Sequence, residues 1–431
     1  MMIAYLALLL AATTPAAAPR VLTLDEALAS ARAHQPQVRQ AAAATAAALA
    51  RADESLAPLL PQVSGSAAYQ RGTINYTNTL NSTGQSNAGG PESWSTSGGF
   101  TFGLSANQLL YDFGQTRGRW RASKATAAAQ RDSERTTFEL VLFAVRSAFF
   151  QARAAKELVR VADETLANQN KHLEQVQGFV DVGTQPEIAL AQSKTNVANA
   201  QVQLINAENG YETAKAVLNQ AMGIEGPTDY DVADESPAPL DGEDGDVEAL
   251  VDEAVKARPE LAALAGQVLA QELTLRAIKG AYGPTLDAST GLSDVGPNIP
   301  GLTWNWSAAL TLTVPIFKGG LTDAQVREAE ANLTSLRAQY DLEHQQVRLD
   351  VDQARLAVRA AKATVSASAQ ALVNAADQLR LAEGRYEAGV GSIIELGDAQ
   401  VAATSAGQQQ VQSEYSLAQA RAGLLRALGR P

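Results

Sequence analysis

Thr23-Leu24-Asp25-Glu26-Ala27-Leu28, closed by Pro36, returns 223 residues later as Asp246-Val247-Glu248-Ala249-Leu250-Val251, closed by Pro259. The same offset carries Pro61 to Pro284. Further on it drops to 206 and holds, mapping Gly114 to Gly320, Gly183 to Gly389, and Ala221-Met222-Gly223 to Ala427-Leu428-Gly429. The copies therefore differ by one deletion of 17 residues, falling between Pro61 and Gly114 of the first. Length alone would divide 431 residues into two or three domains. The repeat says instead that one unit of about 200 residues is written twice.

Each copy reads in the same order. A short helix, capped by Thr23 or Asp246, ends near Pro36 or Pro259. An Ala-rich helix follows, to about Ala57 or Gly280, then two strands, a very long helix, a Gly turn and a returning helix. Residues 115–180 hold no Pro and two Gly, which predicts a single helix. At 1.5 Å per residue it would run ~99 Å, a length that points to a coiled coil.

The heptads agree. Val145, Ala152, Val159, Leu166, Leu173 and Val180 recur every seven residues, and Val351, Val358, Val365, Leu372, Leu379 and Tyr386 are their repeat partners. On the returning helix Leu190, Val197, Leu204, Tyr211 and Leu218 mark one seam. Three residues beyond each stands a small one, from Ser193 and Ala200 to Ala221, and in the second copy from Ala399 to Ala427. Small residues at alternate seam positions let supercoiled helices approach closely.

A second periodicity marks the strands. In Trp304-Asn305-Trp306-Ser307-Ala308-Ala309-Leu310-Thr311-Leu312-Thr313-Val314, one face collects Trp304, Trp306, Leu310 and Leu312. Phe100, Phe102, Leu104 and Ala106 alternate likewise, as do Leu286, Ala288, Thr290 and Leu292, and more weakly Val63, Gly65, Ala67 and Tyr69. Strands of about ten residues, apolar on one face and small-polar on the other, suit a transmembrane barrel with a lipid-facing surface. Four strands cannot close a barrel, and lipid tolerates no open sheet edge, so the chain must oligomerise. Two copies would give eight strands with a filled interior, whereas three give twelve and a lumen. A homotrimer is expected.

The division that follows places a signal peptide at 1–18 and a first repeat at 19–222 with strands 62–73 and 94–110 and a hairpin at 115–222. An acidic linker spans 223–246, and a second repeat spans 247–431 with strands 285–292 and 303–315 and a hairpin at 320–430. The signal peptide rests on apolar Ile3 to Ala12 followed by the small residues of Thr13 to Ala18, although no basic residue precedes them. No later window reaches the ~18 apolar residues of a membrane helix.

Composition removes whole classes. With 34 Lys and Arg against 46 Asp and Glu, the net charge of −12 argues against a nucleic-acid partner. The absence of Cys excludes disulfides, thiolate metal sites, a Cys nucleophile and a lipidated N-terminal Cys. His34, His172 and His344 lie far apart, no Gly-rich loop is placed to cradle phosphate, and no Ser-His-Asp order has a supporting context. Asp241-Gly242-Glu243-Asp244-Gly245-Asp246 lacks the ligand spacing of a calcium loop and falls in the linker. No catalytic, cofactor-binding or metal-ligating residues are expected, and no cofactor.

Over residues 20–431 the chain resembles the TolC-like outer membrane factors of Gram-negative bacteria. The resemblance is carried by Leu22 to Leu28 with Pro36, by Leu109-Leu110-Tyr111-Asp112-Phe113-Gly114, by Val314-Pro315-Ile316-Phe317-Lys318-Gly319-Gly320, and by the helix turns Val182-Gly183-Thr184 and Ala388-Gly389-Val390. It implies an α+β membrane protein in which long coiled-coil hairpins join four transmembrane strands per chain. The trimer would form a 12-stranded barrel in outer-membrane lipid, continued by a periplasmic α-helical tunnel. The implied function is an exit duct for efflux or type I secretion, working with a periplasmic membrane-fusion adaptor and an inner-membrane transporter. The turns Val182-Gly183-Thr184 and Gly389-Val390-Gly391 match those that dock on the adaptor, and Glu395 and Asp398 match an acidic pair ringing the pore entrance. The first copy has Ala189 and Gln192 at those two positions, so any ring draws on one hairpin. The competing reading, a soluble periplasmic coiled-coil scaffold or adaptor, explains the helices but leaves four alternating strands without a partner.

Overall fold

The computed structural model describes residues 20–73 and 96–430. The signal segment at 1–18 and the polar connector Ile74 to Ser93 lie outside the described residues. Among the described residues the order is β1 (Arg20–Leu22), α1 (Leu24–His34), α2 (Pro36–Leu56), β2 (Gln62–Thr73), β3 (Thr96–Tyr111), α3 (Gln115–Asp181), α4 (Glu187–Met222) and β4 (Tyr230–Val232). There follow α5 (Val247–Ala257), α6 (Pro259–Lys279), β5 (Thr285–Gly296), β6 (Thr303–Thr313), α7 (Leu321–Glu387) and α8 (Ile393–Ala427). The long helices α3 and α7 have 67 residues each, and α3 runs almost exactly over the stretch free of proline.

The duplication is visible atom by atom at the helix ends. In α3 Thr184 N–H donates to Phe179 C=O and Gly183 N–H to Val180 C=O; in α7 Val390 N–H donates to Arg385 C=O and Gly389 N–H to Tyr386 C=O. Both are Schellman ends with the C′ residue left-handed, at φ 78° for Gly183 and 71° for Gly389. The same closure ends α4 at Gly223 and α8 at Gly429. There a Cβ on Gly223 would strike the Gln35 backbone at 2.6 Å, and one on Gly429 would meet Ala257 and Arg258 at 3.1 Å. The helix starts differ slightly. Thr23 Oγ1 accepts from Glu26 N–H, whereas Asp246 holds the cap position of α5 without a side-chain bond.

Contacts group the chain into two compact units, each drawing on both repeats. One consists of Ser133–Leu261 with the segments up to Ala42 and from Glu343; the other of Ala43–Asp132 and Ala262–Leu342. The first is built on Leu28, Ala31, Leu142, Val145, Phe149, Leu218, Met222 and Val232. Val145 and Leu218 belong to the heptad seams, and every seam position quoted above is buried or half-buried. This unit also contains a parallel pair of three-residue strands, β1 with β4, too short to leave a pattern in the sequence.

The second unit holds the antiparallel sheet, in the order β2-β3-β5-β6. Asp112 turns the chain from β3 into α3, its carboxylate accepting from Gly114 N–H at 3.1 Å and Thr116 N–H at 2.6 Å. That explains the Asp112-Phe113-Gly114 signature, since a carboxylate just ahead of the helix can accept from amides of the turn and the first helical turn that no backbone carbonyl reaches. Strand β5 continues to Gly296, past the alternation that ends at Leu292, because Ser293 to Val295 still pair with both neighbours. β6 stops at Thr313, just before Val314 and Pro315.

Candidate functional site

Strand register decides which side chains share a face. Leu310 lies opposite Ala288, Leu312 opposite Leu286, Trp306 opposite Leu292, and Leu104 opposite both Leu292 and Gly65. The alternating apolar positions quoted for the four strands therefore fall on one surface, which Asp294 joins opposite Trp304 and Phe102 near one end. Asn305, Ser307, Thr311, Ser293, Gly291, Ser105 and Ser66 fall on the other. Trp304, Trp306, Leu310 and Leu312 are 71, 63, 67 and 63 % exposed within the chain. So much contiguous apolar surface is not left to water. Trp306 donates its indole N–H to Thr290 Oγ1 at 3.0 Å, which leaves its ring free for an apolar solvent.

Aromatic rings bracket this surface. Tyr69 and Phe100, 4.7 Å apart, mark one end together with Trp304; Tyr111 and Phe113, 5.7 Å apart, mark the other. Two aromatic girdles flanking an apolar band are the surface chemistry of a membrane-spanning barrel wall. Among the described residues β2 and β6 each have a neighbour on one side only. Among the described residues no helix is long and apolar enough to cross a membrane.

In the other unit, the hairpin tips share a small core of Val176, Ala189, Ala382, Tyr386, Leu396 and Ala399. Val182 and Val390 project from the two turns at 72 and 70 % exposure, and Ile188 and Ile394, equivalent positions of the two repeats, are as open. Gly183, Thr184, Gly389 and Gly391 form the turns themselves, and Thr184 Oγ1 donates back to Phe179 C=O at 2.8 Å. Ile188 and Ile394 were not singled out by their sequence. Only the 206-residue offset that pairs them signals a shared role.

Glu395 and Asp398 lie one helical turn apart but in different circumstances. Ser392 Oγ accepts from Glu395 N–H at 3.1 Å, forming a helix cap, and Glu395 Oε1 pairs with Arg385 Nε at 3.0 Å. Asp398 is exposed, lines a groove with Gln192 and Asn196 of α4, and has no ion pair among the described residues. Arg385 went unnoticed because it precedes the turn on α7, where sequence spacing relates it to nothing in α8.

Beneath the tips, His172 is 5 % exposed, with its ring edge-on to Tyr386 at 5.2 Å and its Nδ1 without a partner among the described residues. Gln169 donates to Gln400 at 2.9 Å, and Gln175 donates to Glu387 at 3.0 Å, tying α3 to α8 and α7. Burial pushes the His172 imidazolium pKa below 6.5, against a smaller upward influence from Gln175. The folded state then binds fewer protons than the unfolded chain, so stability is full above pH 6.5 and falls as pH drops through the depressed pKa. His172→Phe should flatten this acid-side loss, measured as the denaturant midpoint at pH 7.5 and pH 5.5. An unchanged pH dependence would show that His172 does not couple tip packing to protonation.

The Outer membrane efflux protein family model matches residues 27–224 and 250–430, one match per repeat. The chain is 26 % identical over 336 residues to the outer membrane efflux protein BepC of Brucella suis, covering 77 % of this chain and 72 % of that one. It is 26 % identical over 424 residues to the outer membrane protein TolC of Escherichia coli, covering 93 % and 80 %. Among solved structures, the CmeC outer membrane channel of Campylobacter jejuni shares the fold at a TM-score of 0.83, with 18 % identity over 94 % of this chain and 85 % of that one. Both the apolar sheet face and these matches favour an outer-membrane channel over the soluble scaffold. The chain belongs to the outer membrane efflux protein family and is an exit duct of the outer membrane, not an enzyme.

Proposed function

We propose that three copies close a 12-stranded barrel and continue it as a tunnel, through which solutes leave passively. The observation that carries this is the antiparallel sheet β2-β3-β5-β6, with an apolar face and, among the described residues, two open edges. Strand direction alternates across it, so β6 of one copy meets β2 of the next antiparallel and no edge remains for lipid to expose. In this reading residues 1–18 direct export, and the repeats at 19–222 and 247–431 each supply two strands and one hairpin. Crosslinking in isolated outer membranes should trap trimers; species no larger than dimers would refute the closure.

The exposed aliphatic tips Val182, Ile188, Val390 and Ile394 support docking of a periplasmic adaptor on the turns, and through it an inner-membrane transporter. Asp398 and Glu395 form the pore entrance, with unequal shares. Glu395 is balanced by Arg385, so Asp398 carries the net field that favours cations. In planar bilayers Asp398→Ala should lower the cation preference. Glu395→Ala should lower it too, by freeing the Arg385 charge, and the double variant should lower it most. Glu187→Ala, near the other turn, should do less. Unchanged selectivity in an assembled double variant would reduce both acids to helix-start residues.

A further inference from the structure

The returning helices share a feature that neither turn nor strand accounts for. Thr195–Ala207 of α4 and Val401–Ser413 of α8 are equivalent stretches of the two repeats, and neither contains Asp, Glu, Lys or Arg. Each covers ~20 Å of helix. They face each other across a continuous groove floored by α3, formed by adjoining cavities of about 440 and 590 Å³ that share Gln203, Ser405 and Gln408. Asn199 and Asn206 add amides on the α4 side and Gln412 on the α8 side, interspersed with apolar residues such as Ala200, Ala207 and Val401. Apart from Asp398 and His172, the polar groups lining it are amides and hydroxyls. The charge in this groove is Asp398 at its tip end. Asp398, Ser405 and Gln412 are spaced by sevens, so they lie on one face of α8.

The flank of α8 toward α7 is built differently. Its cavity of about 570 Å³ is lined by Arg153, Glu164, Arg380 and Glu383, among other charged groups. An exposed helix surface normally looks like that second groove. An uncharged polar surface of this length, present on one flank and in both repeats, calls for a function that fixed charge would spoil.

We propose that the α4–α8 groove is the inner wall of the duct, and that its neutrality passes polar solutes of either sign and of none. This rests on the duct reading above. A fixed charge along a narrow aqueous path retains solutes of one sign and repels the other. Amide side chains both donate and accept hydrogen bonds, so they exchange with water and with solute alike. Charge discrimination is then confined to the Asp398 end, and the remaining path is indifferent to it.

The chain has no cysteine, so single-thiol variants report one position each. Gln408→Cys and Asn199→Cys channels in planar bilayers are to be treated with cationic or anionic methanethiosulfonates. The cationic adduct should lower the cation-to-anion permeability ratio several-fold and the anionic adduct raise it, each with a fall in conductance. Glu164→Cys, on the other flank, should react yet leave ratio and conductance unchanged. Adducts at Gln408→Cys and Asn199→Cys that are confirmed by mass but leave the ratio unmoved would overturn the wall assignment while the duct stands. Failure of the unmodified full chain to form channels would overturn the duct, and the wall with it.

Discussion

Leu310→Arg should prevent the chain from being recovered as assembled trimer in the outer membrane, whereas Thr311→Arg should assemble and change conductance. The two residues are adjacent, but their side chains stand on opposite faces of β6. Leu310 lies opposite Ala288 on the apolar surface, and Thr311 opposite Asp287 on the polar one. An arginine near mid-bilayer on the lipid side costs about 2–4 kcal/mol per chain, and three chains carry it at once. Leu312→Arg should behave like Leu310→Arg. The readout is the fraction of chain in detergent-resistant trimer, with conductance measured on what assembles. Equal recovery of all three variants would refute the assignment of faces.

Glu243→Ala should be the most damaging substitution outside the sheet. Glu243 is 5 % exposed and accepts from Arg421 Nε and Nη2, at 3.0 and 3.1 Å, with Lys362 at 2.7 Å and Leu240 N–H at 3.2 Å. Arg421 also donates to Pro237 C=O at 2.7 Å, so the acidic linker is clasped onto α8 and α7 rather than hanging between the repeats. Burial alone would raise the Glu243 pKa, but the bonds from Arg421 and Lys362 hold it at about 2. Removing the carboxylate leaves a buried arginine unpaired, which costs about 3–5 kcal/mol. The same clasp sets an acid limit. Its contribution is complete above pH 4.5 and is lost as pH falls toward 2, because the unfolded carboxylate takes up its proton first. Denaturant unfolding of solubilised protein at pH 7 and pH 3.5 checks both statements. A Glu243→Ala variant within about 1 kcal/mol of the parent at pH 7 would show that the linker contributes nothing to the fold.

Local periodicity made most of the architecture readable in the sequence. The repeat offset, the heptads of α3 and α7 and the two-residue alternation of β6 are statements about neighbours along the chain, and a regular helix or strand converts them directly into faces. The Gly turns were legible for a related reason. A left-handed C′ residue is a local backbone demand, and Gly183 and Gly389 meet it. The absence of Cys sufficed to dismiss thiolate chemistry.

Tertiary structure decided what depends on residues distant in sequence. Arg421 meets Glu243 across 178 positions, and β1 pairs with β4 across more than two hundred, so no window of sequence contains either contact. The unequal standing of Glu395 and Asp398 has the same origin. The spacing of three placed both on one helical turn, but the guanidinium of Arg385, brought over from α7, neutralises one and not the other. His172 became buried rather than a surface histidine because α7 lays Tyr386 against it. By itself the sequence determined the repeat, the helix lengths and the two faces of each strand, since these follow from periodic patterns and backbone preferences. Which charges are paired, buried or left free was decided only by packing, because electrostatic partners are chosen by distance in space and not by order along the chain.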